Sequence, residues 1–570
     1  MAKKNRKHRR KRSRKIFWLI AGIITIVTFG MAAYMLILVK QGSTLTKLDE
    51  LLLAYMDYIS EQNYKEMYQM LDVEASGQIS EEDFIKRNSA IYEGIEIQNM
   101  TTAIISYNEE RNVVQYQTAF DTVAGNISFE NEAYFLKRED GYKLVWTDSL
   151  IYPGLSSTDK VRVSTTQAKR GEILDRNGRV LAGSGVASSV GIVPGKLENM
   201  DSAIEQIAEL LKMEPEEIEK KLSAKWVKED SFVPVKTLRK VEEIELMSME
   251  PDEEVIKEHE RQQQLLEIPG VMISDTEVRA YPLGDAAAHL VGYVQSVTAE
   301  DLEKHAGEGY TASSVIGRSG AEGLFESELK GQNGCRIYIV DANGNTKEEL
   351  ANRLVEHGKT VKLTIDSKLQ NALYEQFRED KSCSVAMNPY TGEVLALVST
   401  PSYDNNNFIM GLSSEKWTAL NEDENKPLYN RFRQVWCPGS TFKPITAAIG
   451  LESGAVDPNE DYGNVGLSWQ KDASWGSYHV TTLHAYDPVV LENALIYSDN
   501  IYFAKAALKI GADEMKDSLL RLGFQEEMPF EVVMSKSQYS NTENIETEIQ
   551  LADSGYGQGQ ILVNPLHMAC

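Results

Sequence analysis

Apolar residues run without a charge from Ile16 to Val39, IFWLIAGIITIVTFGMAAYMLILV, a stretch of 24 residues. A helix of that length spans about 36 Å, enough to cross a hydrocarbon core of roughly 30 Å with some tilt. A cleavable signal peptide has a shorter apolar stretch with a small-residue cleavage site after it. Here Ala32 and Ala33 sit inside the run, with Tyr34, Met35 and Leu36 following. The pattern therefore predicts an uncut transmembrane anchor over 16–39.

Beyond it the periodicity changes. From Thr46 to Leu71 apolar residues recur at helical spacing with charges between them, which predicts a helix. Val113 to Phe120 is rich in β-formers, and Asp140-Gly141 separates two such runs in AYFLKREDGYKLVW, a hairpin signal. Helix followed by antiparallel sheet, ending near Pro153-Gly154, reads as a small α+β domain over 41–155. A second region, 156–358, opens with the strand and turn RGEILDRNGRVLA from Arg170 to Ala182. Its middle, Asp201 to Glu267, is dense in Glu and Lys at helical spacing and predicts a solvated, mobile helical insertion. The third region, 359–570, begins VKLTIDSKLQNALYEQF, strand into helix. A hairpin around Asn388-Pro389-Tyr390-Thr391-Gly392 follows, then a helix after Pro438.

Composition adds a direction. The chain of 570 residues has 59 Lys+Arg against 85 Asp+Glu, a formal −26. Ten of the basic residues lie in the first fifteen positions, so the other 49 face all 85 acids and the rest carries −36. Positive charge before the apolar run places the tail 1–15 in the cytoplasm and the remainder outside. An acidic body argues against nucleic acid as a partner, and the tail's simplest role is attraction to anionic lipid. Cys335, Cys383, Cys437 and Cys570 show no C-x-x-C spacing and the eight His are scattered, so no metal site is expected. Gly317, Gly320 and Gly323 precede no Gly-Lys-Ser/Thr, which argues against a phosphate loop.

The candidate chemistry begins at Pro438-Gly439-Ser440-Thr441-Phe442-Lys443-Pro444. Ser440 and Lys443 are three apart at a helix start and so share a face. An amine there can take the hydroxyl proton and make Ser440 a nucleophile if burial keeps the amine neutral. Ser440 as a mere N-cap would want Glu or Gln at the third helical position; Lys443 has the sign the helix dipole disfavours there. Ser498-Asp499-Asn500, before the apolar stretch IYFAKAALKI, reads alone as ordinary helix capping. Following Ser-x-x-Lys, it supplies the second of three elements of the penicillin-binding and β-lactamase serine acyl-enzymes.

With these motifs the chain resembles a class B penicillin-binding protein, a membrane-anchored peptidoglycan transpeptidase. RGEILDRNGRVLA, RAYPLGDAAAHLVGYV (Arg279 to Val294) and GRSGAEGLFESELKG resemble the family's pedestal, or dimerisation, domain. LTIDSKLQ, AMNPYTGEVLALVSTPSYD, PGSTFKP, YSDN and SGYGQGQILVNPLHMA (Ser554 to Ala569) resemble its transpeptidase domain, in order. The domain after the anchor, ending WTDSLIYPGL, resembles the NTF2-like extension of the MecA-like subgroup. The resemblance implies a multidomain α+β architecture: anchor, NTF2-like α+β domain, mostly β/α+β pedestal, and a serine transpeptidase domain with an antiparallel sheet flanked by helices. It implies that Ser440 attacks the D-Ala-D-Ala end of a stem peptide, Lys443 acts as base, Ser498 relays a proton and Asn500 holds substrate and Lys443. β-Lactams would acylate the same serine, and no cofactor is implied. Nascent peptidoglycan and a RodA/FtsW-type glycosyltransferase are the implied partners; whether the pedestal forms a homodimer stays open.

The family's third element, Lys-Thr-Gly, does not follow Gly559, and Cys570 comes eleven residues later. The expectation is a transpeptidase domain cut before that element, and an inactive 570-residue chain, since losing one oxyanion donor costs about 10² to 10³ in rate. Two alternatives share the serine motifs. A class A β-lactamase needs Glu-x-x-Leu-Asn after Ser-Asp-Asn, and none occurs. A vestigial β-lactam sensor or wall-assembly scaffold would keep the fold without the reaction.

Overall fold

The computed structural model describes residues 47–108, 110–246 and 252–570. The basic tail and the anchor expected over 16–39 lie outside them. Among the described residues no helix is long and apolar enough to cross a membrane. They form two compact units, residues 47–167 with 333–355, and residues 168–332 with 356–570.

In the first unit the helices Lys47–Ser60, Tyr64–Gln69 and Glu81–Tyr92 precede an antiparallel sheet. Its strands, Gln98–Asn108, Val113–Thr122, Gly125–Arg138 and Gly141–Val145, are neighbours in chain order. The helix expected from Thr46 to Leu71 is broken in two. Gln62 takes a φ of +56°, and the Asn63 side chain accepts a hydrogen bond from the Glu66 amide to start the next helix. The Asp140-Gly141 hairpin forms, with Arg138 opposite Gly141. Strand Val113–Thr122 turns Val114, Tyr116, Thr118 and Phe120 inward, the period-2 pattern of a half-buried strand. Val114, Tyr116 and Phe120 meet Leu52, Tyr55, Phe84, Phe135 and Trp146 in one core, where a fully buried large apolar side chain contributes about 1.5–3 kcal/mol. A three-stranded antiparallel sheet, Thr346–Arg353, Gly334–Val340 and Lys160–Thr166, adds Ile337 and Ile339 to that core.

In the second unit the long strand Val180–Ile192 organises the pedestal part. Val233–Leu238, Val271–Ala280 and Ile173–Leu174 all pair with it antiparallel. The segment expected as a solvated insertion has a core of its own. Ile204, Ile207, Ala208 and Leu211 recur at helical spacing along Met200–Leu211 and bury against Ile218, Val235 and Leu265. Its charges cover the outer faces, which is why composition alone reads as solvated.

Three of the pedestal motifs meet at a buried ion cluster. Arg170 bonds Glu322 and Glu326, each at 2.7 Å, and Arg279 bonds the fully buried Glu322 at 2.6 Å. Asp175 joins the pedestal motif to the transpeptidase part. It is fully buried and accepts from the Ser367 hydroxyl at 2.7 Å and the backbone amides of Asn177, Arg179 and Ser367.

The transpeptidase part starts with helix Ser367–Phe377 packed on the hairpin of Ser382–Met387 and Val394–Thr400. Its centre is the helix Asn500–Ile510, which buries Ile501, Tyr502, Phe503, Ala504, Ala506, Ala507 and Ile510. A helix apolar on most of its faces must be enclosed. Helices Lys443–Glu452 and Glu548–Ser554 enclose it.

Candidate functional site

Pro438 and Gly439 end the preceding segment, and Gly439–Phe442 forms a single 3₁₀ turn that runs into the helix Lys443–Glu452. Ser440 therefore sits exposed at the entrance of the helix, and Lys443, 2% exposed, lies one turn further in. Their side chains meet: Lys443 Nζ is 3.1 Å from Ser440 Oγ. The helix ends at Ser453.

The turn Ser498-Asp499-Asn500 links helix Leu491–Ile496 to the central helix. Asp499 is the N-cap, accepting from the Ile501 amide, and Asn500 is the first helical residue. Ser498 carries a φ of +51°, the position after a helix where glycine is usual. A left-handed conformation costs a non-glycine residue about 1–2 kcal/mol. That cost aims the Ser498 hydroxyl and carbonyl at the amine: Lys443 Nζ is 2.9 Å from Ser498 Oγ and 2.5 Å from Ser498 O. The amine also lies 2.7 Å from Asn500 Oδ1. Asn500 is fixed from its other end, its amide nitrogen donating to Thr481 O at 3.0 Å.

Burial lowers the Lys443 pKa from the ordinary lysine value to about 8, with the nearby Asp499 charge acting in the opposite sense. At that value about a tenth of the amine is neutral at pH 7, against less than about one in a thousand for an ordinary lysine. The hydrogen-bond inventory then settles the geometry of the neutral form. A neutral amine has two N–H donors and one lone pair. Ser498 O and Asn500 Oδ1 can only accept, so they take the two donors. The lone pair is left for a hydroxyl, and Ser440 and Ser498 are the hydroxyls in reach. The arrangement can remove a proton from Ser440 and pass it to Ser498.

All four residues singled out from sequence, Ser440, Lys443, Ser498 and Asn500, are thus brought together. Others enter only through tertiary contacts. Gly557, in SGYGQG, backs onto Gly439, and the Gly439 amide donates to Gly557 O at 2.9 Å. Trp436 and Val563 exchange both backbone hydrogen bonds just beyond. Tyr486 donates to Asp499 at 2.8 Å. The glycine-rich GYGQG was a visible signal for close backbone approach, whereas nothing local to Tyr486 or Thr481 marks either. The four cysteines are free thiols, and among the described residues no group of His, Cys, Asp and Glu could hold a metal ion.

Three family models match the chain. They are an NTF2-like N-terminal transpeptidase domain over residues 49–159, a penicillin-binding protein dimerisation domain over 165–363, and a penicillin-binding protein transpeptidase domain over 382–570. Penicillin-binding protein 3 of Bacillus subtilis is 38% identical over 528 residues, covering 90% of this chain and 76% of that protein. Peptidoglycan D,D-transpeptidase MrdA of Acinetobacter baumannii is 29% identical, covering 73% of this chain and 61% of its own length. The Escherichia coli K12 protein of that name is 28% identical, with 65% and 58% covered. Among solved structures, a complex between penicillin-binding protein PBP2 and MreC from Helicobacter pylori shares the fold. Its TM-score is 0.53 at 23% identity, over 72% of this chain and 75% of that one.

Proposed function

This chain belongs to the class B penicillin-binding proteins and carries their transpeptidase domain, and from that premise we propose that it cross-links peptidoglycan through a Ser440 acyl-enzyme. The observation that carries the reading is the Lys443 amine, buried and 3.1 Å from Ser440 Oγ, with its two donors committed to acceptor-only oxygens. Neutral Lys443 takes the Ser440 proton as Oγ attacks the carbonyl carbon of the penultimate D-Ala. Collapse of the tetrahedral adduct breaks the C–N bond, and the proton travels from Lys443 through the Ser498 hydroxyl to the departing D-Ala amine. An amine of a neighbouring stem peptide then attacks the ester and returns a proton to Ser440 along the same path. Asn500 holds Lys443 through its oxygen, and its amide nitrogen is offered to substrate when it releases Thr481 O. A β-lactam enters at the first step as a mimic of the D-Ala-D-Ala end.

The reading carries a location with it: a single-pass anchor over 16–39, tail inside and enzyme outside, supported by the apolar run and the ten basic residues before it. Its partners are nascent glycan strands and a RodA/FtsW-type glycosyltransferase that makes them; pairing of two pedestals belongs to the same proposal. The test is cross-linking by the native protein supplied with nascent strands. Cross-linked stem peptide and free D-Ala should appear together, and Ser440→Ala should produce neither; wild-type yields from Ser440→Ala would contradict the proposal.

A further inference from the structure

The Ser498 turn is held from behind by one side chain that the reaction as written does not use. The Tyr486 phenol donates to Asp499 Oδ2 at 2.8 Å, and its ring stacks on Tyr497 with centroids 4.5 Å apart and planes at 28°. Tyr486 therefore grips the residues on both sides of Ser498. The other Asp499 oxygen accepts from the Ile501 amide at 2.8 Å, so the same carboxylate starts the central helix. Asp499 is buried, and its charge acts on the Lys443 amine.

The other groups facing that carboxylate can be named. Lys505, on the same helix, feels its charge and is held by Tyr462 O at 3.3 Å over the Trp469 ring. His484 and Tyr502 line the small cavity between them. Around Lys443 itself stand Ser440, Ser498, Asn500 and the Phe503 ring, none of them charged. Asp499 is thus the charge set against Lys443, and Tyr486 is the donor set against Asp499.

We propose that Tyr486 is a positioning residue for acylation, holding the Ser498 turn through Tyr497 and Asp499 and setting how strongly the Asp499 carboxylate acts on Lys443. The inference rests on the transpeptidase reading and deepens it. An O–H dipole pointed at a buried carboxylate offsets part of its field. Without the phenol the field at Lys443 strengthens, the ammonium is favoured, and the amine loses its proton at higher pH. Asp499→Asn removes the charge while keeping a side chain that caps helices equally well, so the amine should lose its proton at lower pH. A purely mechanical clamp would lower the rate in both variants without moving the titration in opposite senses.

The experiment follows the side-chain carbon resonance of Lys443 against pH in the native protein labelled at lysine, assigned with Lys443→Arg, alongside the pH profile of penicillin acylation. Tyr486→Phe should raise the Lys443 midpoint by about half a unit and Asp499→Asn lower it by about one unit. The rising limb of acylation against pH should move with each. Midpoints that stay in place, or move the same way, overturn the inference. If that happens in a protein that penicillin still acylates, the inference fails alone; a wild type that is never acylated sinks it together with the transpeptidase reading.

Discussion

Gly557 lies so close against Gly439 that a Cβ on it would stand 2.1 Å from the Gly439 carbonyl oxygen and 2.7 Å from the Phe442 side chain. Its φ of +73° also disfavours any other residue. The carbonyl it would strike belongs to the residue just before Ser440. Gly557→Ala should therefore displace the serine and lower acylation by roughly 10² if the shift approaches 1 Å. Stopped-flow acylation with a chromogenic β-lactam reads the rate; a wild-type rate would show that this contact does not place Ser440.

Ser498 sits where glycine would be more stable. Ser498→Gly should hold or raise the melting temperature of the protein while acylation falls by roughly 10² or more, the scale of losing a positioned proton-transfer group. Paired melting and acylation measurements on one preparation test it. A fall in stability matching the fall in rate would mean that the serine serves the fold and not the reaction.

The depressed Lys443 pKa has a direction in pH. The base is the neutral amine, so acylation should climb as pH rises toward about 8 and level off above it. Asn500→Asp places a carboxylate where a neutral oxygen now sits 2.7 Å from Nζ. The ammonium is then favoured, the limb should move up by about 1–3 units, and the rate at pH 7 should fall accordingly. A profile in Asn500→Asp that overlays the wild type would remove Lys443 from the role of base.

In the pedestal part, Glu322 is wholly buried between Arg170 and Arg279. Glu322→Gln leaves the buried Arg279 guanidinium without its carboxylate, while Arg170 keeps Glu326, a loss of about 3–5 kcal/mol. The denaturant midpoint should fall by that loss divided by the m-value. Any change in acylation should follow the loss of folded protein; a specific loss of acylation with stability intact would give the cluster a part in the reaction.

The parts of this molecule that could be read from the chain are those with local periodicity or fixed spacing. Ser440 and Lys443 face each other because three residues make almost one helical turn, and Asp140-Gly141 turns a hairpin because the residues around it alternate. Two features are not legible locally. The break at Gln62-Asn63 depends on one side-chain cap that continuous apolar spacing conceals. The core of the Glu- and Lys-rich segment depends on Val233–Leu238 pairing with a strand some forty positions earlier, and local composition carries no trace of that pairing. Tyr486 and Thr481 are illegible for the same reason: Tyr486 reaches the site from a loop and Thr481 from the short strand Val480–Thr481, each through a contact that only the folded chain makes.

The central claim is that Ser440 is the acylated residue, and the most direct measurement is peptide mass mapping of the native protein after exposure to benzylpenicillin. The account predicts a penicilloyl adduct on the peptide carrying Ser440, absent from Ser440→Ala. An adduct on any other residue, or one that persists in Ser440→Ala, would contradict it.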